Sequence, residues 1–422
     1  MLLLAVVLWT CSFAASGQFE PRLQAGMAAL DKNDLASAQT SLEEATRLAP
    51  EHAGAWLLLA QTYAKQKNRE SALAAAQKAE ALGGEDPKIL QGLANFYVGL
   101  APDLPKAAAL GARYAERSPQ DKTAWRRLAA FCLSTGQPEQ AIAAGLRGLA
   151  TDGSAELHAL LGRAYLERQD WAKATAELKT ALELDPYEED THFRLAQAFL
   201  LRQDFSSAVS VLEAAKKIFA RSPQIELALG VAYYGLRRFP EAVDQFLKTM
   251  KLAPDVPQPY VFLGRILDHA SDRLPEVIER FAQFEARNPN NYLGYLLHAK
   301  GLIAQVPPAG FPPEAQAAFE LLQKSLALQE DDAEGHYLLG VLLDRKGDLK
   351  DAAAHLERSI QLDPRGSAAH YRLARVYDRL GRKQEAEQQR VLHEKLSEEE
   401  NATGGPGLAK DPLRPPAPGR VK

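Results

Sequence analysis

Nine histidines, two cysteines and a run of carboxylates are the residues of this chain best suited to metal binding or catalysis, and none is spaced for it. His158, His192, His336 and His370 fall at matching places in a repeating pattern, in the slot that Trp56 and Trp125 fill elsewhere. Equivalent slots in neighbouring repeats lie about one helix pair apart, beyond the reach over which zinc ligands converge. His52, His269 and His298 show no pair four residues apart on one helix, the spacing that aims two imidazoles at one metal. Cys132 sits where the pattern places a buried residue, so it is expected to pack as a small hydrophobe. Glu188, Glu189 and Asp190 stand near a helix start, where they stabilise the positive end of the helix dipole. With no glycine-rich phosphate loop after a strand and no Ser-His-Asp order, no catalytic residue, no metal and no cofactor is expected. The chain is expected not to be an enzyme.

The elements behind that pattern are helices. Loop-ending prolines (Pro50, Pro119, Pro186, Pro254, Pro289, Pro364) and small residues (Gly26, Ala60, Ala129, Gly162, Ala196, Gly230, Gly264, Gly340, Ala374) recur with a period of about 34 residues. Between Ala155 and Pro186, Leu161, Gly162 and Tyr165 lie at helical spacing on a first helix. Asp170 and Trp171 mark a turn, and Ala174, Leu178 and Ala181 share one face of a second helix. Small residues let the helix axes approach closely while Leu161, Tyr165 and Leu178 fill the space between.

This arrangement resembles the tetratricopeptide repeat, with its Trp, Leu-Gly and Tyr on the first helix and Ala, Phe, Ala and Pro after it. Trp56, Leu59, Ala60, Tyr63, Ala72 and Ala79 carry it in the second unit, Trp125, Leu128, Ala129 and Ala141 in the fourth, and Leu229, Gly230, Tyr233, Ala242, Phe246 and Pro254 in the seventh. The resemblance implies an all-α solenoid, a right-handed superhelix of about eleven helix-turn-helix units, occupying 17–398 as one array. Two places depart from it. Ala101-Pro-Asp-Leu-Pro105 breaks the turn of the third unit, and 305–314 is an insertion rich in proline, whose Phe311 is expected to fold back on the array.

In proteins of this family the first helices line a concave face, and positions about three before and one after the small residue point into it. Carried onto this chain, they select Arg163, Phe193, Gln197, Leu227, Val231 with Tyr234, Val261, Arg265, Lys300 and Arg375 as a partner-binding groove. An apolar floor with cationic flanks suits a peptide with hydrophobic anchors and acidic neighbours. The family's clamp for chaperone carboxyl-terminal tails is not matched, because Leu57 and Gln61, Gly92 and Phe96, and Arg126 and Ala130 lack its asparagines.

The ends differ in composition. Leu2 to Trp9 is apolar and Thr10 to Ser16 is small-residue rich, which reads as a secretory signal over 1–16 and an exported, periplasmic or secreted protein. The run is too short to span a bilayer. Leu8-Trp9-Thr10-Cys11 has the leucine and cysteine spacing of a lipid-attachment site, but the bulk of Trp9 and Thr10 argues against a tether at Cys11. The Pro/Gly-rich stretch 399–422 is expected to be disordered. With 50 Lys plus Arg against 54 Asp plus Glu, no basic stripe invites nucleic acid. The expected function is a non-enzymatic scaffold for a protein or peptide. A subunit of a cell-envelope export or polysaccharide assembly is the alternative, and a glycosyltransferase-associated repeat protein the remote one.

Overall fold

The computed structural model describes residues 18–307, 310–402 and 413; the expected signal, and most of the expected tail, lie outside them. Among the described residues there is no strand, and the helices form eleven consecutive pairs. The chain divides into two compact units, Met1–Thr191 and His192–Lys422.

The first unit holds α1 (18–31) with α2 (Leu35–Leu48), α3 (Ala53–Lys65) with α4 (Arg69–Gly83), and α5 (Pro87–Asn95) with α6 (Leu104–Arg117). It continues with α7 (Ala124–Ser134) and α8 (Pro138–Gly148), then α9 (Ala155–Glu167) and α10 (Trp171–Leu184). α11 (Glu189–Leu201) contains the boundary and is followed by α12 (Phe205–Ile218). The second unit goes on through α13 (Pro223–Gly235) and α14 (Phe239–Leu252), α15 (Gln258–Arg265) and α16 (Leu274–Arg287), and α17 (Tyr292–Gln305) and α18 (Pro313–Leu328). α19 (Ala333–Lys346) with α20 (Leu349–Leu362) and α21 (Ser367–Arg379) with α22 (Lys383–Ala402) complete it. Each unit is thus a stretch of α-solenoid, as the period predicts.

Three local devices make each pair. The first is the turn between its helices, where one residue takes a left-handed conformation: Asn33, Lys67, Gln169, Gln203 and Arg237, or Gly136, Gly347 and Gly381. The next residue caps the second helix, with Asp34, Asn68, Asp170 and Asp204 each accepting from the backbone N–H three positions on. The second device is a missing β-carbon. A methyl group built on Gly26, Gly230 or Gly340 would stand 2.6–2.7 Å from Leu42, Phe246 or Leu356, in each case sixteen residues on, and Gly162 meets Leu178 in the same way.

The third device ties one pair to the next. Trp56, Tyr260, Tyr295, His336 and His370 reach back six residues to a loop carbonyl, at 2.8–3.2 Å, and in four of the five that carbonyl belongs to a loop proline. The proline therefore stops one helix and presents the acceptor that seats the following one. Tyr63, Tyr233 and Tyr377 reach back twenty residues to Glu43, Glu213 and Glu357. Burial first and the carboxylate second push these phenols up to about 12, so they remain neutral donors.

Three pairs are irregular. In the third, Phe96–Leu100 forms a π-helical turn closed by Ala101 N–H onto the Phe96 carbonyl, which leaves Val98 43 % exposed. In the eighth, α15 ends at Arg265 and two short 3-10 turns, Leu267–His269 and Ser271–Arg273, replace the rest of the first helix. In the ninth, 306–307 and 310–312 of the insertion are not helical, and Phe311 packs back on the core that contains Leu321 and Leu342, as expected. α22 runs beyond residue 398 to Ala402.

Two substitutions probe these devices. Gly162→Leu is expected to cost roughly 1–3 kcal/mol by overpacking against Leu178, with protection lost first in α7–α10 because coupling is between neighbours; hydrogen exchange read repeat by repeat checks this. Gly347→Ala, at φ 94°, is expected to cost about 1 kcal/mol in a denaturant melt.

Candidate functional site

The positions selected from the sequence separate into a buried set and an exposed set. Val231 is fully buried, and Leu227 and Tyr234 are 8 % exposed. The cause is α13 itself, which is buried at every residue from Ile225 to Tyr234, as a helix apolar on all sides must be. The Tyr234 ring meets Phe239 and Phe262 edge-on, with centroids 5.8 and 5.3 Å apart. These three side chains are core, not the floor of a groove, and the expectation is corrected accordingly. Phe193, Gln197 and Val261 are half-buried. Lys300 is ion-paired to Glu334 and is not a free cation.

Two of the exposed first-helix residues in the second unit, Arg265 and Arg375, lie on aromatic rings. Arg265 is exposed, with its guanidinium 5.8 Å from the Phe262 ring centre. Arg375 is exposed and stands 5.8 Å over Tyr371, itself an exposed ring. Neither makes an ion pair among the described residues, and neither does half-buried Arg163 in the first unit. An arginine lying on an aromatic face keeps its edge donors available for a carboxylate.

The histidines of the tryptophan slot behave as side chains of the packing. His158 Nδ1 lies 2.7 Å from Glu177 and His370 Nδ1 2.6 Å from Gln389, each nineteen residues on. His336 Nε2 donates to the Glu330 carbonyl, which leaves its Nδ1 to accept from His355 Nδ1–H at 2.8 Å. Burial, then the neighbouring His336, pull the His355 pKa below 6.5, against the opposing charge of Asp351. Among the described residues no three His, Cys, Asp or Glu side chains converge as a metal site. Cys132 is buried, and burial pushes its thiol up to about 11, so it is unsuited to nucleophilic work.

Two features of the first unit were missed. Leu23, Met27 and Leu57 open onto a cleft rimmed by Glu51, Glu80, Glu85, Asp86, Lys88 and Arg113. A smaller pocket forms where the π turn and Gly111 withdraw bulk, between Val98, Tyr114, Arg127 and Phe131. Tyr114 of this lining donates to Asp121, which also accepts from Thr123. Burial opposes its ionisation, yet those bonds and Arg127 hold it at about 2. The signal was the irregular 101–105 segment; nothing in the period announces the first cleft. A third omission is internal: Glu226, 3 % exposed on α13, faces Lys216 Nζ at 3.3 Å, and the same ammonium donates to Gln245 at 2.9 Å.

Comparison with known proteins places these observations in a family. Two family models, both described as tetratricopeptide repeat, match the chain, one over 23–87 and 309–366 and the other over 165–230 and 345–389. Human tetratricopeptide repeat protein 34 is 27 % identical over 146 residues, 34 % of this chain and only 22 % of that protein's length. Among solved structures, MamA aligns over 41 % of this chain and 94 % of its own at 21 % identity and a TM-score of 0.38. Yeast Tom70 aligns over 92 % and 97 % at 14 % identity and 0.37.

Two measurements check the electrostatics. The folded state disfavours charging His355, so stability is fully present above the unfolded value of 6.5 and falls as pH drops from there through the lowered folded value. His355→Gln, which keeps a donor toward His336, is expected to melt with a smaller loss than the parent between pH 7.5 and 5.5. Lys216→Met leaves a buried carboxylate unpaired and is expected to cost roughly 2–4 kcal/mol, and adding Glu226→Gln is expected to recover part of it in a double-mutant cycle.

Proposed function

Since the chain belongs to the tetratricopeptide-repeat family, we propose that it is a non-enzymatic scaffold that captures a protein or peptide on its first-helix face, in an exported setting. The observation that carries this reading is the pair of exposed, unpaired arginines, Arg265 and Arg375, each lying on an aromatic ring of a first helix. Helix pairs that bury their apolar surfaces against their neighbours leave such residues without a packing role. A guanidinium in this setting binds carboxylates, so the partner segment is acidic and carries apolar side chains that meet Tyr371 and Val261. The apolar stretch 2–9 followed by small residues supports export. Among the described residues no helix is long and apolar enough to cross a membrane.

The test is crosslinking capture from a native envelope fraction, with the chain beside its Arg265→Glu/Arg375→Glu variant. Both sites are exposed and away from the core, so the melt of the variant is expected to stay within about 0.5 kcal/mol of the parent. Capture of a specific protein is expected to fall roughly tenfold or more, by loss of two charge-assisted contacts. Equal capture by variant and parent would remove this face from the account.

A further inference from the structure

Beyond α22 the structure describes one residue, Leu413, and its surroundings are specific. Leu413 is 8 % exposed, and its main-chain carbonyl accepts a 3.3 Å hydrogen bond from the side-chain Nε2 of Gln258, 155 residues earlier. Gln258 opens α15. With Val261 and Arg265 it follows the three- and four-residue spacing that puts side chains on one helix face. That is the face on which Arg265 stands exposed.

The amide of Gln258 is only half used. The residue is 7 % exposed, and its Oε1 is buried with no hydrogen-bond partner among the described residues. A buried acceptor left open costs free energy, which a main-chain N–H brought by a bound segment would recover. A side-chain amide that donates to one peptide carbonyl and holds an acceptor ready beside it can read both main-chain groups of an extended segment without regard to its side chains. Leu413 supplies the apolar anchor, and its sequence setting, Asp411-Pro412-Leu413-Arg414-Pro415-Pro416, is of the proline-rich kind used in extended recognition.

We infer that the first-helix face at α15 is a docking site for this chain's own carboxyl-terminal segment, with Leu413 as the anchor and Gln258 as the reader of its main chain. The tail then competes in cis with whatever partner the face captures, a consequence that rests on the reading given under Proposed function. Docking itself does not depend on that partner.

The experiment uses the full chain with a photoreactive benzoylphenylalanine in place of Arg414. Irradiation is expected to give an intramolecular cross-link to the α15 region. Adding Leu413→Asp is expected to lower its yield roughly tenfold or more, since burying a leucine is worth at least about a decade in an equilibrium constant. Gln258→Ala is expected to lower it about fivefold, the worth of one hydrogen bond. A thermal melt matching the parent's confirms that each variant is folded. In parallel, a fluorescent peptide of residues 406–420 is expected to bind full-length Leu413→Asp about tenfold more tightly than the parent, whose site its own tail occupies. Cross-links scattered away from α15, a yield unmoved by Leu413→Asp, or equal peptide binding by both chains would overturn the inference. Neither readout uses an outside partner, so docking can fail while capture stands, and capture can fail while docking stands.

Discussion

The contact between a first-helix residue with no room for bulk and the large side chain sixteen positions later sets the geometry on which everything else rests. Gly230 against Phe246 and Gly340 against Leu356 bring two helices so close that a β-carbon would overlap its neighbour. Close packing at that one point fixes how the helices of a pair cross. The left-handed turn residue and the cap that follows fix how the second helix starts. The loop proline then offers a carbonyl to the next pair, and Trp56, Tyr260 and His370 take it. Each device is local, which is why an array can tolerate the π turn at Phe96–Leu100 or the shortened α15 without losing its neighbours.

Function follows from what this packing leaves over. Apolar residues at the first-helix positions are drawn into the core wherever the helix is apolar on all sides, as Val231 and Tyr234 are. Arg265 and Arg375 at the equivalent positions stay outside, because burying an unpaired guanidinium costs far more than any contact it would gain. The second unit is thereby left with Arg265 and Arg375 seated on aromatic rings, and with the half-used amide of Gln258. The first unit presents a different surface, a cleft with Leu23, Met27 and Leu57 inside a rim of four carboxylates and two cations.

Much of the fold was legible because its devices repeat. The small-residue slots, the prolines and the histidines in the tryptophan slot gave the pairs their number and phase, and the 305–314 insertion and the loose third pair showed as breaks in that phase. The candidate site was less legible, because facing a neighbour and facing solvent look alike at one repeat position. Leu227 and Val231 were assigned by position alone, although the apolar residues on every side of Ile225–Tyr234 already marked a helix with no solvent face. The early end of α15 is written in the polar run Asp268-His269-Ala270-Ser271-Asp272, which carries no glycine or proline to announce it. The pairing of Gln258 with Leu413 joins residues 155 apart, and no period connects them.

The central claim, that the chain works through the cationic, aromatic side of its first helices, is tested most directly by arginine footprinting. Phenylglyoxal labelling of the free chain, read residue by residue in a mass spectrometer, is predicted to modify Arg265 and Arg375 ahead of Arg273 and Arg379, which are held by Asp244 and Asp344. With captured partner present, Arg265 and Arg375 are predicted to slow while the second-helix Arg358 keeps its rate. Protection confined to second-helix arginines, or no distinction between the two sets, would contradict the account.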